Sequence, residues 1–171
     1  LLNYNGDDWP ADTEKAFEDF VRKGGGVVSV HAADNAFLGW AEYNKMIGLG
    51  GWGNRNEKWG PYLYYDDQQG KYIRDNTPGP GGSHGNYYAF KVKIRDSKNP
   101  ITKGMPPVWM HDKDELYNRL RGTAQHMDVL ATAYSAKDQG GTGRSEPSPE
   151  ILVCVEYRDR HRKSVVGREH G

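Results

Sequence analysis

The sequence has a single cysteine, no excess of charge and no long apolar run. Cys154 on its own excludes an internal disulfide framework and a cysteine-rich zinc site. The 23 basic residues balance the 23 acidic ones, so we expect no nucleic-acid partner. No apolar segment approaches the roughly 20 residues that span a bilayer, so we expect no membrane span. No signal peptide is recognisable, which leaves the compartment open.

With 171 residues, the chain is long enough for one domain with a sizeable core. Its 22 glycines and 9 prolines predict long, shaped loops. Aromatic residues are spread among them, which disfavours low-complexity disorder. We therefore treat residues 1–171 as a single domain.

The first part of the sequence has the order strand, helix, strand. Residues 1–4 resemble the end of an apolar strand, so we expect the natural protein to have residues before them. A helix with an apolar face follows Pro10, and three glycines then lead into an apolar run at 27–30. This order predicts a βαβ unit and hence a parallel sheet, incomplete at the N-terminus.

The rest of the chain mixes helix, loop and strand patterns. Apolar residues at helical spacing predict a second helix over 35–47. A long irregular stretch covers 48–85, and its many aromatic residues indicate an ordered loop with a small hairpin at 64–73. Further strands are predicted at 88–94, 129–134 and 151–157.

Three histidines stand in positions where chemistry is plausible. His31 directly follows the apolar run, at the strand end where open α/β sheets bind ligands. His84 and His111 lie among small or polar residues. Imidazoles and carboxylates together can hold Zn²⁺ or exchange protons. The alternative interpretations are that His31 caps a strand by hydrogen bonding and that His84 is a surface turn residue. Asp114 and Glu115 could likewise be acids that complement the dipole at a helix N-terminus. The accompanying carboxylates are Asp34, Asp114 and Glu115.

The long loop carries two tryptophans and an arginine that bear on ligand binding. Trp52 and Trp59, with neighbouring tyrosines, either stack under a sugar ring or pack the loop onto the domain. Arg55 either binds an anionic or polyhydroxylated ligand or braces the loop. Both alternatives remain open for each residue.

Missing motifs disfavour three common chemistries of α/β proteins. No Gly-x-Ser-x-Gly or Gly-x-Cys-x-Gly motif occurs, and Cys154 lies inside a predicted strand. Glycines 24–26 precede their strand, so they cannot cradle a phosphate at the following helix. A serine hydrolase, a cysteine-dependent glutamine amidotransferase and a nucleotide or flavin binder are therefore disfavoured.

Six segments together carry a family pattern. They are 24–37 with His31, the glycine-rich 48–53, 82–85 with His84, 99–104, 114–117 and 129–133. In this order and spacing they resemble the trehalose-utilisation (ThuA-like) family over roughly residues 1–147. The resemblance implies a three-layer, flavodoxin-like α/β fold with a parallel sheet, of the class I glutamine amidotransferase-like superfamily, without the amidotransferase cysteine.

The resemblance also implies a place in bacterial sugar metabolism. The expected ligand is a small carbohydrate, either a trehalose-like disaccharide or its oxidised (keto) derivative. The protein would act in the bacterial cytoplasm or after export. The alternative is a non-catalytic carbohydrate-binding or interaction module on the same fold. A homo-oligomer remains open.

Residues and resemblance together predict one polar site at the carboxyl edge of the sheet. Acid–base residues there would act on a sugar hydroxyl or glycosidic oxygen, beside a divalent metal such as Zn²⁺. The expected catalytic residues are His31, His111, Asp114 and Glu115. The expected substrate-binding residues are Asp34, Trp52, Arg55, Trp59 and Tyr117. The expected metal ligands are His31, His84 and Glu115.

Two departures from the family pattern stand out. Asn99 occupies a position where the pattern has histidine, so any role of that histidine is absent here. Residues 148–171 lack the family's turn glycines and are rich in charge, so we expect a divergent tail.

Overall fold

A computed structural model describes residues 1–123 and 126–147, together with the backbone of three short strands at 153–155, 158–159 and 162–163. Two α-helices precede the strands: α1 (Ala11–Arg22) and α2 (Ala41–Ile47). Among the described residues, neither helix has the length and apolar character that crossing a bilayer requires.

Six strands form the main sheet, in the order β2-β1-β7-β6-β3-β4. Short strands pair separately as β5 with β8 and β9 with β10. The main-sheet strands are β1 (Tyr62–Asp66), β2 (Lys71–Asp75), β3 (Ser83–Ile94), β4 (Val108–Asn118), β6 (Ala131–Ser135) and β7 (Arg144–Glu146). The short strands are β5 (Met127–Val129), β8 (Val153–Val155), β9 (Arg158–Asp159) and β10 (Arg162–Lys163).

The predicted parallel sheet is not what the described residues form, because every ladder between their strands is antiparallel. The connections explain this difference. Residues 67–70 join β1 to β2, and residues 136–143 join β6 to β7 with only a short 3₁₀ turn. A parallel pair needs a crossover of a dozen or more residues, usually helical, whereas short connections produce antiparallel neighbours. The layering expected for an amidotransferase-like fold is not confirmed.

Parallel pairing in the described residues is limited to the predicted strand–helix–strand region. Leu2 and Ser29 form one isolated parallel bridge on either side of α1. The Leu2 amide donates to Val28 O at 2.7 Å, and the Val30 amide donates to Leu2 O at 2.8 Å. The run 27–30 therefore pairs with the N-terminal segment as predicted, but as a single bridge and not as a ladder.

The predicted helix over 35–47 is too long at its start. His31–Asn35 forms a 3₁₀ turn, and α2 begins only at Ala41. Phe37 lies between them with φ +51°, a conformation that no helix residue adopts. The apolar spacing over 35–47 thus reflects packing into an aromatic cluster as well as a helix face. That cluster contains Phe37, Trp40 and Tyr43, with Trp9 and Phe17 packed against them.

The other predicted elements are mostly confirmed. The predicted hairpin is β1 with β2, and the predicted strand 88–94 is the second half of β3. The strand predicted over 129–134 is divided between β5 and β6. The strand predicted over 151–157 contains β8, and its remaining residues lie outside the described part of the chain. The expected divergent tail also lies mostly outside it.

Apolar residues pack on both faces of the sheet. Leu116 points to one face and Tyr117 to the other, because successive side chains of a strand alternate. The first cluster contains Phe90, Val92, Leu116, Ala131 and Ala133. The second contains Leu49, Leu63, Tyr117, Leu120 and Val129.

A buried arginine holds the long loop 48–85 in place. Arg55 is only 2% exposed. Its Nη1 donates to Gly51 O at 2.7 Å, and its Nη2 donates to Asn44 Oδ1 at 2.8 Å and to Ala36 O at 3.0 Å. These bonds join the loop to α2 and to the segment before it. The prediction of an ordered loop is confirmed, and its order depends on buried polar contacts as well as on aromatic packing.

Replacing Arg55 with methionine should destabilise the protein by about 3 kcal/mol, since it leaves buried carbonyl oxygens without donors. Urea unfolding of Arg55→Met would measure this loss. Lys91→Met is the matched control, because Lys91 is exposed on β3 and its replacement should change the free energy of unfolding by less than about 0.5 kcal/mol. Equal effects of the two substitutions would show that Arg55 does not brace the loop.

A buried carboxyl group in β7 is a second polar feature of the interior. Glu146 is 3% exposed, and its Oε1 accepts a hydrogen bond from Thr142 Oγ1 at 2.7 Å. Burial raises the pKa of Glu146 from 4.5 to about 7, against the opposing effect of that hydrogen bond. The folded protein therefore binds this proton more tightly than the unfolded chain does.

The free energy of unfolding should consequently depend on pH through Glu146. Its contribution should fall by about 3 kcal/mol as pH rises from the unfolded pKa of 4.5 to the folded pKa of about 7, and then stay level. Glu146→Gln lacks this titration, so its stability relative to the natural protein should increase over the same interval. Urea unfolding of both proteins from about pH 4 to about pH 8 tests this; parallel curves would contradict it.

Candidate functional site

The pairing of β3 with β4 brings the first site residues together. His84 is the register partner of Tyr117, and a bulge follows His84 in β3. Glu115 lies two residues before Tyr117 in β4, so both side chains point to the same face of the sheet. His84 Nε2 and Glu115 Oε1 are 3.9 Å apart, and each side chain is 40% exposed. A histidine and a carboxylate thus stand side by side at one end of the ladder.

Trp52 forms the neighbouring wall of the site. Its backbone has φ +55°, and its amide donates to Gly81 O at 2.7 Å. The Trp52 ring lies 4.4 Å from the Tyr117 ring and 6.3 Å from the His84 ring, measured between centroids. Gly82 makes this close approach feasible, because it has φ +85° and a Cβ there would lie 2.6 Å from the Trp52 amide nitrogen.

His31, from a distant part of the sequence, contacts the same tyrosine. It begins the 3₁₀ turn after the run 27–30, with φ +45°. Its ring stacks on Tyr117 with centroids 4.7 Å apart and planes inclined by 30°. The Tyr117 hydroxyl and His31 Nε2 are 3.0 Å apart, within hydrogen-bond distance. His31 is therefore coupled to β4 through Tyr117.

These residues border an open cavity of about 360 Å³. This volume is within the range of small-molecule sites, roughly 300–1,000 Å³. The walls offer imidazole, carboxylate, phenol and amide groups, which can exchange protons with a ligand or hydrogen-bond its hydroxyl groups. The lining residues are Asn5, Asn35, Trp52, Gly53, His84, Glu115 and Tyr117.

Five of the predicted site residues are brought together here: His31, His84, Glu115, Trp52 and Tyr117. Four of them line the cavity, and His31 contacts it through Tyr117. The structure thus assembles the imidazole–carboxylate group from three distant parts of the chain.

Two predicted acid–base residues lie elsewhere on β4. Asp114 points to the face opposite Glu115, and its Oδ1 accepts the Glu115 amide at 2.8 Å. His111 stacks on Phe90 with ring centroids 4.8 Å apart and planes inclined by 2°. Neither side chain lines the cavity. Asp114 and Glu115 are strand residues, so the alternative interpretation as acids at a helix N-terminus is wrong.

The three remaining predicted binding residues also have other surroundings. Asp34 is buried, and its Oδ1 accepts from Ser29 Oγ at 3.0 Å. Arg55 makes the loop contacts described above. Trp59 ends the 3₁₀ turn Glu57–Trp59 and is partly buried. None of them is among the residues that line the cavity.

Two asparagines also line the cavity, although the sequence did not predict them as site residues. Asn35 ends the 3₁₀ turn that His31 begins, and its buried Oδ1 has no hydrogen-bond partner. Asn5 follows the N-terminal segment that pairs with Ser29. Both come just after an end of the short parallel pair, the location that identified His31, so the same signal could have found them.

The expected metal site can be tested against these residues. Across residues 1–123 and 126–147, no three histidine, cysteine, aspartate or glutamate side chains are grouped as metal ligands. His31 Nε2 faces the Tyr117 hydroxyl, and His84 faces Glu115. In this arrangement His31, His84 and Glu115 do not fit a shared divalent ion, so we assign no step to a metal.

Comparisons with known proteins identify the family of this chain. The family described as "ThuA: Trehalose utilisation" matches residues 1–166. The chain belongs to the ThuA family. A solved ThuA-like protein from Parabacteroides merdae is 51% identical, with a TM-score of 0.82, and the match covers 85% of this chain and 52% of that one. No curated protein matches.

A second ThuA-like structure, from Bacteroides uniformis, is 18% identical with a TM-score of 0.47. That match covers 75% of this chain and 42% of the other. This ThuA-family chain therefore spans about half the length of the solved structures that it matches.

Gly82→Ala should disturb the site and the fold together. The added Cβ would lie 2.6 Å from the Trp52 amide nitrogen and 2.8 Å from Gly51 Cα, at a φ that favours glycine. We expect a loss of about 2 kcal/mol or more and a change in tryptophan fluorescence. Gly39→Ala is the matched control, because no atom lies within 4 Å of its Cβ position. A stable Gly82→Ala protein with unchanged fluorescence would contradict the packing of Trp52.

Proposed function

We propose that this ThuA-family chain acts on a trehalose-like disaccharide or its oxidised (keto) derivative, with the cavity between β4 and Trp52 as the sugar site. The observation that carries the proposal is the meeting of two pairs of acid–base side chains at one cavity. These are His84 with Glu115, and Tyr117 with His31. The family's association with trehalose utilisation supports the sugar class.

The two pairs suit the two ends of a proton transfer. His84 and Glu115 are half exposed at the cavity wall, so either can accept a proton from a sugar hydroxyl or from a carbon beside a keto group. Tyr117 carries a hydroxyl hydrogen that can be donated to a sugar oxygen, while His31 Nε2 lies 3.0 Å from that hydroxyl and can replace the proton. With a keto sugar these two transfers give an enediol. The base then returns its proton to the neighbouring carbon and Tyr117 recovers one from the other enediol hydroxyl, so the keto group has moved by one carbon and all four residues are back in their starting states.

The cavity also carries the groups that hold a sugar. Trp52 provides an apolar ring surface against which the C–H face of a sugar packs. Asn35 lines the cavity, and its side-chain amide is of the kind that hydrogen-bonds a sugar hydroxyl.

Chemistry at a hydroxyl or keto group fits this cavity better than hydrolysis of a glycosidic bond. Most glycosidases use a pair of carboxyl groups on either side of the scissile bond. Among the described lining residues Glu115 is the one carboxylate, since Asp114 points to the opposite face. A single carboxylate also suits a second candidate, a carbohydrate-binding module without turnover, in which Trp52 and the two asparagines would contact the sugar.

The adjacent carboxylates of β4 separate the two candidates. Binding and turnover of trehalose and of its keto derivative would be measured for the natural protein, Glu115→Gln and Asp114→Asn. We expect Glu115→Gln to lower kcat by about 10²- to 10⁴-fold, the usual contribution of a general acid or base. Asp114→Asn is the matched control on the opposite face and should leave kcat unchanged.

The outcomes distinguish the possibilities sharply. Loss of kcat in Glu115→Gln with retained binding supports the enzyme. Binding without turnover in all three proteins indicates the binding module. Equal loss of kcat in both variants would contradict the assignment of Glu115, and a protein that binds neither sugar would contradict the proposed substrate class.

A further inference from the structure

A second cavity lies beyond the carboxyl end of β4 and has no part in the proposed reaction. Its volume is about 320 Å³. It is bordered by β1, the end of β2, the segment 77–80 and β7. Its residues differ from those of the first cavity at every position. A ligand here would therefore contact neither the His84–Glu115 pair nor Trp52.

The wall of this cavity contains the buried carboxyl group of Glu146. Thr142 Oγ1 donates to Glu146 Oε1 at 2.7 Å, and this bond and the Arg119 backbone both oppose the effect of burial on the pKa of the carboxyl group. A carboxyl group that is 3% exposed is seldom kept in a protein without a partner or a role. Glu146 thus has a fixed position and an unusual environment, two properties that are typical of ligand-binding groups.

Positively charged, negatively charged and aromatic side chains surround Glu146. The Arg144 guanidinium lies over the Tyr64 ring at 4.1 Å, and Arg144 Nη1 is 3.5 Å from Asp75 Oδ2. Hydrogen bonds from Thr77 hold the pKa of Asp75 below its usual value. Arg119 is exposed and has φ +55°, a conformation that costs free energy for any residue except glycine.

We propose that this second cavity binds a small neutral polyhydroxylated ligand of monosaccharide size, with the Glu146 carboxyl as its buried anchor. The carboxyl groups accept hydrogen bonds, the guanidinium groups donate them, and a sugar hydroxyl can satisfy either. Arg144 covers one face of the Tyr64 ring, and the rest of the ring offers apolar surface to the C–H groups of a sugar. The assignment does not depend on the reaction proposed for the first cavity.

The balance of charge in the walls favours a neutral ligand. Two arginines, Arg119 and Arg144, face two acids, Asp75 and Glu146. A ligand with a net charge would lose its hydration without finding an excess of opposite charge. Burial raises the pKa of Glu146 to about 7, so the charges balance fully above that pH, and below it the protonated carboxyl group can donate a hydrogen bond to a ligand hydroxyl.

Three probes with the same ring and different charges test the class of ligand: glucose, the cationic glucosamine and the anionic glucuronate. Binding to the full chain would be followed by chemical shifts of backbone amides, those of Thr142 and Arg144 reporting the second cavity and that of Trp52 the first. We expect glucose to bind most tightly and to shift Thr142 and Arg144, with a dissociation constant on the order of 1 mM for so small a ligand.

Three variants test which residues hold it. Glu146→Leu and Arg144→Leu should each weaken glucose binding at the second cavity by about tenfold. Arg144 is exposed, so its variant keeps the test valid where Glu146→Leu fails to fold. Glu115→Gln is the matched control in the first cavity and should leave the Thr142 shift unchanged.

Three results would overturn the proposal. They are tighter binding of glucosamine or glucuronate than of glucose, glucose shifts confined to Trp52 and lost in Glu115→Gln, and the absence of Thr142 and Arg144 shifts with all three probes. A failure of turnover at the first cavity leaves these shifts unaffected, so the two proposals fail separately.

Discussion

The antiparallel pairing of β3 with β4 is the constraint on which the rest of this structure depends. Its register sets His84 beside Tyr117 and turns Glu115 toward the same face. The same ladder places Leu116 on the opposite face, in the core cluster that contains Phe90. A slip of the register by one residue would therefore exchange core and site side chains. The arrangement of the first cavity thus follows from strand register. Arg119, the residue directly after β4, lies in the wall of the second cavity.

Buried arginines hold the loops that pack beside the sheet. Arg55 joins the long loop to α2, and Arg121 donates to Gly60 O at 2.8 Å and to Thr77 O at 2.5 Å. Such groups are costly to bury and are retained where they hold a particular arrangement of the backbone. Among the described residues other than glycine, positive φ occurs at His31, Trp52 and Arg119, beside the cavities, and at Phe37 and Asn54, which line neither. Strained residues are frequent at binding sites, and the first three agree with that tendency.

Much of the local structure was predictable from the sequence, because its signals are local. The helix after Pro10, the hairpin of β1 with β2 and the strand containing Phe90 follow from spacing and turn residues alone. His31 was identified by its place after an apolar run. The sequence did not predict that Asp114 and His111 lie away from the first cavity, because proximity along the chain does not decide which face of a strand a side chain occupies.

The sequence by itself determined the family, the local elements and the kinds of chemical group available for a site. Only the tertiary structure decided that the main sheet is antiparallel, that Glu115 and not Asp114 meets His84, and that Tyr117 links His31 to them. It also placed Glu146 in a cavity of its own. The physical reason is that register, facing and burial depend on contacts between residues far apart in the chain, which no local pattern specifies.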